Sequence, residues 1–122
     1  MQGWIKLHRK MLNSSVFQNP NILKFWVWCL LKASHTEYTT RIGIQEVTLL
    51  QGQFPFGRNV AAVELNMNPS TIYKYLNLLE GENLISTKRN NKYTVVTIEK
   101  WELYQSDNEP EEQQKNNKRT TK

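Results

Sequence analysis

The spacing of apolar and polar residues changes several times along this 122-residue chain, and each change marks an element. "GWIKLHRKMLNSSVFQNP" mixes apolar and basic positions and predicts a short helix, with Ile5, Leu7, Met11 and Leu12 contributing to the core. Asn19 then offers a cap and Pro20 a first turn, so "PNILKFWVWCLLKASH" reads as a helix. Its middle, Phe25 to Leu31, is apolar nearly all round, whereas a surface helix shows a single stripe. Either it is the central helix of the fold or part of it packs on another subunit. "RIGIQEVTLLQGQFPFG" alternates well enough for one or two short strands, with Gln51-Gly52 as the turn and Pro55 confining its strand to an edge. A helix from about Arg58 to Leu65 follows, then the tight link "NMN", then a helix from Pro69 to about Glu82 capped by Asn68. "LISTKRNNKYTVVTI" reads as a hairpin turning through Arg89-Asn90-Asn91. "EKWELYQ" is a last short helix or an ordered tail anchored by Trp101 and Tyr104. From Ser106 on no residue can join a core, and residues 106–122 are expected to be a disordered polar tail behind one domain, residues 1–105.

The register between Arg58 and Leu79 carries the functional reading. Ala62 is small where a first helix would cross a second, and four residues later Asn66 stands where the turn needs a left-handed backbone, which Asn tolerates. Ile72, ten residues after Ala62, would plug between the helices, and Leu65, Leu76 and Leu79 complete an inner face. Helix, turn, helix and then a two-stranded ribbon with a basic tip give a winged helix-turn-helix, mainly α with a small β-hairpin.

With that inner face, the outer face of the second helix is Ser70, Tyr73, Lys74 and Asn77, with Thr71 beside it at the helix start. Recognition helices present their first turns to base edges in the major groove. Short hydroxyls let the helix end come close, and its free N–H groups attract phosphate. Tyr73 can donate to a phosphate or pack on sugar. Lys88, Arg89 and Lys92 would meet the backbone or the adjacent minor groove. Arg58, at the start of the first helix, and Asn68, at the cap of the second, complete the candidate set of DNA contacts. The plainer alternatives are that Ser70 and Thr71 only start a helix and that the three cations only solubilise a hairpin tip. Within this arrangement DNA contact is the favoured reading of both.

Charge is consistent with an anionic partner. The net +5 lies wholly before Ser106, where twelve Lys and Arg face seven Asp and Glu; the tail has four of each. A domain near this size buries roughly two-thirds of its unfolded surface, so the core is adequate but small. Cys29 is the only cysteine, which excludes an intramolecular disulfide, and its apolar surroundings mark it as a core residue. "MQGWIKLHRK" is too polar for a secretory signal and Phe25–Leu31 too short to cross a bilayer, so no membrane is expected and the compartment is the cytoplasm. His8 and His35 lack partners at metal-ligand spacing, and Glu80 and Glu82 look like a solvated face. Tyr75 is expected to pack, and Trp4, Trp26, Trp28 and Trp101 to serve core or interface. No phosphate-cradling glycine motif, nucleophile elbow or carboxylate pair is present. Neither an enzyme nor a cofactor is expected. The large apolar side chains of Phe25–Leu31 lead instead to the expectation of a homodimer through that helix.

Five blocks, "GWIKLHRKML", "WCLLKASH", "LLQGQFPFGR", "STIYKYLNLLE" and "NNKYTVVTIEKWELYQ", together resemble the N-terminal winged-helix domain of phage and prophage replication proteins of Gram-positive bacteria, the replisome organisers or DnaD-like replication initiators. The resemblance spans about Gly3 to Gln105. It implies sequence-specific double-stranded DNA binding at an origin through the recognition helix and wing, frequent self-association, and replication proteins as partners. Many members continue into a second helical domain; the polar tail here supplies none of its features, so its activities are not carried over. Where such helices usually end in Gly before "LI", this chain has Asn83, with Gly81 two residues earlier. A transcriptional regulator using the same face, and a winged helix serving as a protein-interaction module, are the alternatives.

Overall fold

A computed structural model describes residues 3–105. After a 3-10 turn (Arg9–Asn13) come α1 (Ser15–Gln18), α2 (Pro20–Lys32), β1 (Tyr38–Ile42), β2 (Gln45–Leu49), β3 (Gln53–Phe56), α3 (Arg58–Leu65), α4 (Pro69–Gly81), β4 (Ile85–Arg89), β5 (Thr94–Ile98) and α5 (Trp101–Gln105). The fold is mixed α/β. The expectation of a mainly α chain with one hairpin is corrected by five strands in two antiparallel sheets: β1 paired with β2, and a three-stranded sheet in the order β3-β5-β4. Pro55 sits on β3, an edge strand as its missing N–H requires, opposite Val95. The Gln51-Gly52 turn is present, with Gly52 at φ 81° and the Trp101 side chain packed where a Cβ would project. It joins strands of different sheets, so this region holds three strands and not one or two.

The helix α2 is the centre of the molecule. Asn19 Oδ1 accepts from the N–H groups of Asn21 and Ile22 at 2.9 and 3.2 Å, which fixes where it starts. Phe25, Trp26, Cys29 and Leu30 are buried and Val27 and Trp28 half-buried; of the run Phe25–Leu31 only Leu31 is exposed. Phe25 stacks on Trp28 at 5.8 Å between ring centroids and meets Tyr75 of α4 at 6.3 Å, while Trp28 meets Phe54 and Phe56 edge-on at 5.7 and 6.3 Å. Each such large side chain stabilises the fold by roughly 1.5–3 kcal/mol when fully buried. Because α1, α3, α4 and β3 receive this helix on several sides, most of its apolar run serves the core, and Leu31 is left exposed.

The N-terminal segment departs from its expectation. The chain is irregular up to the 3-10 turn, so it has no helical face to bury; Leu7 and Leu12 are exposed and only Ile5 and Met11 pack on the core. Trp4 is exposed as well, which leaves the interface rather than the core of the two roles expected for it. Lys6 and Gln105 instead clamp the two ends together, Lys6 N–H donating to Oε1 at 2.8 Å and Nε2 donating to the Lys6 carbonyl at 2.5 Å. Trp101 is buried at the start of α5. The anchoring role expected of Tyr104 and the disorder expected of residues 106–122 lie outside the described residues. Among the described residues no helix is long and apolar enough to cross a membrane.

Candidate nucleic-acid interface

The turn between α3 and α4 is built from three backbone choices. Asn66 is left-handed, at φ 57° and ψ 50°, and its N–H reaches back to the carbonyls of Ala62 and Val63. Met67 N–H donates to the Ala62 carbonyl at 3.0 Å. Asn68 returns the chain to an extended conformation and caps α4. Lys24 of α2 secures the end of α3 from outside, its Nζ donating to the Leu65 carbonyl at 2.7 Å. Ala61 and Ala62 are buried at the helix contact, and Leu65, Ile72, Leu76 and Leu79 are at most 2% exposed. With this face inward, Ser70, Tyr73, Lys74 and Asn77 point to solvent and Thr71 is half-buried.

Not every residue on the outer face is free to bind. Asn68 Oδ1 accepts from the Ser70 N–H at 3.0 Å and from the Ser70 hydroxyl at 2.8 Å. The cap therefore occupies the hydroxyl hydrogen of Ser70, leaving its oxygen as an acceptor. Lys74 and Asn77 carry no such local bond among the described residues. At the start of α3, Gly57 offers no side chain to the first-turn amides.

The hairpin turn is held by Asn90, whose Oδ1 accepts from the N–H groups of Lys92 and Tyr93 at 2.7 and 2.9 Å. Lys92 is exposed at the tip. Strand alternation then divides the other two cations. Ile85, Thr87 and Arg89 share the face turned toward α4, where the Glu80 carboxylate accepts from both the N–H and the hydroxyl of Thr87, at 3.3 and 3.0 Å. Lys88 lies on the opposite face and borders a groove with Val47, Leu50, Gln53 and Tyr93. It is thus on the opposite strand face from Arg89, with which the sequence grouped it at the hairpin tip. Glu80, read from sequence as a solvated residue, joins helix to hairpin.

One juxtaposition was not anticipated. The guanidinium carbons of Arg58 and Arg89 lie 6.0 and 5.6 Å from the centroid of the Tyr73 ring. These residues also border a single groove of about 200 Å3, floored by Phe56, Leu76 and Thr94. Arg89 Nη1 is steadied by the Thr87 hydroxyl at 3.1 Å.

Among the described residues the ion pair is Lys32 Nζ with Glu64, at 3.2 Å, on the far side of α3. The Trp28 indole N–H donates to the same carboxylate at 2.9 Å, and with Lys32 it holds the Glu64 carboxyl below its usual range. Arg58, Lys74, Lys88, Arg89 and Lys92 are in no ion pair among the described residues. Burial pushes the Cys29 thiol up, so it stays protonated and apolar. His8 accepts from the Lys10 N–H at 3.0 Å, His35 packs edge-on against Trp101, and no His, Cys, Asp and Glu among the described residues cluster as a metal site.

No protein-family model, curated protein or solved structure matches the chain.

Proposed function

We propose that residues 1–105 form a winged helix-turn-helix domain that binds double-stranded DNA, with α4 in the major groove and the β4–β5 hairpin on the neighbouring backbone. The observation that carries this reading is the set of cations in no ion pair among the described residues around the exposed face of α4: Arg58 and Arg89 beside Tyr73, and Lys74 one residue further on. A helix that presents a tyrosine, a lysine and an asparagine above a fully apolar inner face matches the demands of groove recognition. The left-handed Asn66 supports it, since the turn sets the angle at which α4 stands out from α3.

The narrower part of the proposal is sequence-specific binding at a phage-type replication origin, with replication proteins as further partners. The five sequence blocks that resemble replisome-organiser domains support it. Paired half-sites would require a dimer contact, and on α2 Leu31 is the residue of the apolar run left exposed for one. Selection of bound fragments from a phage genome, followed by affinity measurements on the recovered site, tests the proposal. Recovery of one origin-proximal site supports it; recovery of promoter sites would favour a transcriptional role, and equal recovery of all fragments would remove sequence specificity.

A further inference from the structure

Two arginines, Arg58 and Arg89, converge on the Tyr73 ring and are in no ion pair among the described residues. Arg89 reaches the Glu80 carboxylate only through the Thr87 hydroxyl, so the groove they border is a recess suited to an anion. Arg58 comes from the first residue of α3 and Arg89 from the last residue of β4, so the recess exists only where the helix pair and the hairpin meet. Two cations that border one groove repel each other, and an anion that enters the groove removes that cost. The Tyr73 ring, 43% exposed, offers both guanidiniums a π-face that restricts where they can swing. The groove they share, about 200 Å3, has room for a phosphate group, and the Phe56 and Leu76 side chains that line it have no hydrogen-bonding atoms to read a base edge. Thr94 adds a hydroxyl on the hairpin side.

Resting on the DNA-binding reading above, we propose that Arg58 and Arg89 grip one and the same backbone phosphodiester of the duplex, and that Tyr73 is a positioning residue that aims them. The contact fixes how the domain is seated on the duplex without reading sequence, because phosphate contacts position and base contacts specify. Arginine suits this role, since its planar fork bonds a phosphate through two N–H groups at once.

The test is the salt dependence of binding to a random-sequence duplex by the full chain and its variants R58Q, R89Q, R58Q/R89Q, Y73F, Y73L and K74A, each checked for an unchanged circular dichroism melt. Each phosphate neutralised contributes about 0.9 to the slope of log affinity against log salt. With one shared phosphate, either arginine variant weakens binding about fivefold or more. The double variant then loses about 0.9 of slope in total. Y73F lacks the hydroxyl but keeps the ring, and it binds more tightly than Y73L. Y73L, which loses the ring, resembles the single arginine variants. A loss of about 1.8 in the double variant would mean two separate phosphates and overturn the shared grip. Y73L binding like Y73F would remove the positioning role. If K74A weakens binding while both arginine variants bind normally, the DNA interface stands and this inference fails; if no variant weakens binding, the DNA-binding reading fails first.

Discussion

The carboxylate of Glu80 accepts two hydrogen bonds from Thr87, one from its backbone N–H and one from its hydroxyl, and so ties the last turn of α4 to the strand that leads into the hairpin. No other side-chain bond described between these two elements does the same work. Glu80→Ala leaves both donors without their partner and should cost about 1–2 kcal/mol in urea unfolding. Glu80→Gln keeps one acceptor oxygen and should recover most of it. Equal stability of the two variants would show that the carboxylate is solvated instead.

Inner and outer residues of α4 should separate cleanly. Ile72 is fully buried, and Ile72→Ala is expected to destabilise the domain by roughly 2–5 kcal/mol through the cavity it leaves. Lys74 is exposed and unpaired, so Lys74→Ala should leave the thermal midpoint nearly unchanged and weaken duplex binding by about 1 kcal/mol. Differential scanning calorimetry beside a binding titration checks both. The reverse assignment would place the binding face elsewhere.

The two lysines of the hairpin should behave differently. Lys92 stands at the tip, while Lys88 faces the groove beside the β1–β2 hairpin. Replacing Lys92 by Ala should flatten the salt slope by about one unit, and replacing Lys88 should leave it unchanged. Equal effects would mean that the duplex reaches around the sheet.

Much of this was legible in the sequence, and what was not has physical causes. Asn19-Pro20 and Asn68-Pro69 announce two helix starts, because a cap followed by a residue without an N–H is a strong local signal. Asn66 and Asn83 both take the left-handed conformation, at φ 57° and 64°, which asparagine tolerates. Strand β1 escaped because four of its five residues alternate exposed with half-buried and none is buried, which leaves little period to read. The N-terminal residues misled because their apolar spacing fits a helix, whereas the Lys6 backbone is instead bonded to the Gln105 side-chain amide. The recess of Arg58, Tyr73 and Arg89 joins three elements through tertiary packing alone, and no local pattern encodes it. The face of Lys88 could have been read: Ile85 is an apolar core residue, and a period of two from it reaches Thr87 and Arg89 and passes over Lys88.

Acid should loosen the contact between α2 and α3. The Glu64 carboxyl is held below its usual range by the Trp28 indole N–H and by Lys32, so the folded state binds fewer protons there than the unfolded one. Its contribution is complete above the ordinary carboxylate range and is lost as pH falls through the lowered folded value. Trp28 fluorescence followed through an acid titration should change in that window in the parent and not in Glu64→Gln. The same change in both proteins would assign it to another group.

The central claim is that the cations around α4 and the hairpin meet a phosphate backbone, and the salt dependence of duplex binding measures this most directly. Affinity of the full chain for a duplex should fall linearly on a log–log plot between about 50 and 200 mM salt, with a slope of about −0.9 for each phosphate met. Lys74→Ala should lie below the parent throughout. An affinity that does not change across this range, or no binding even at the low end, would contradict the account.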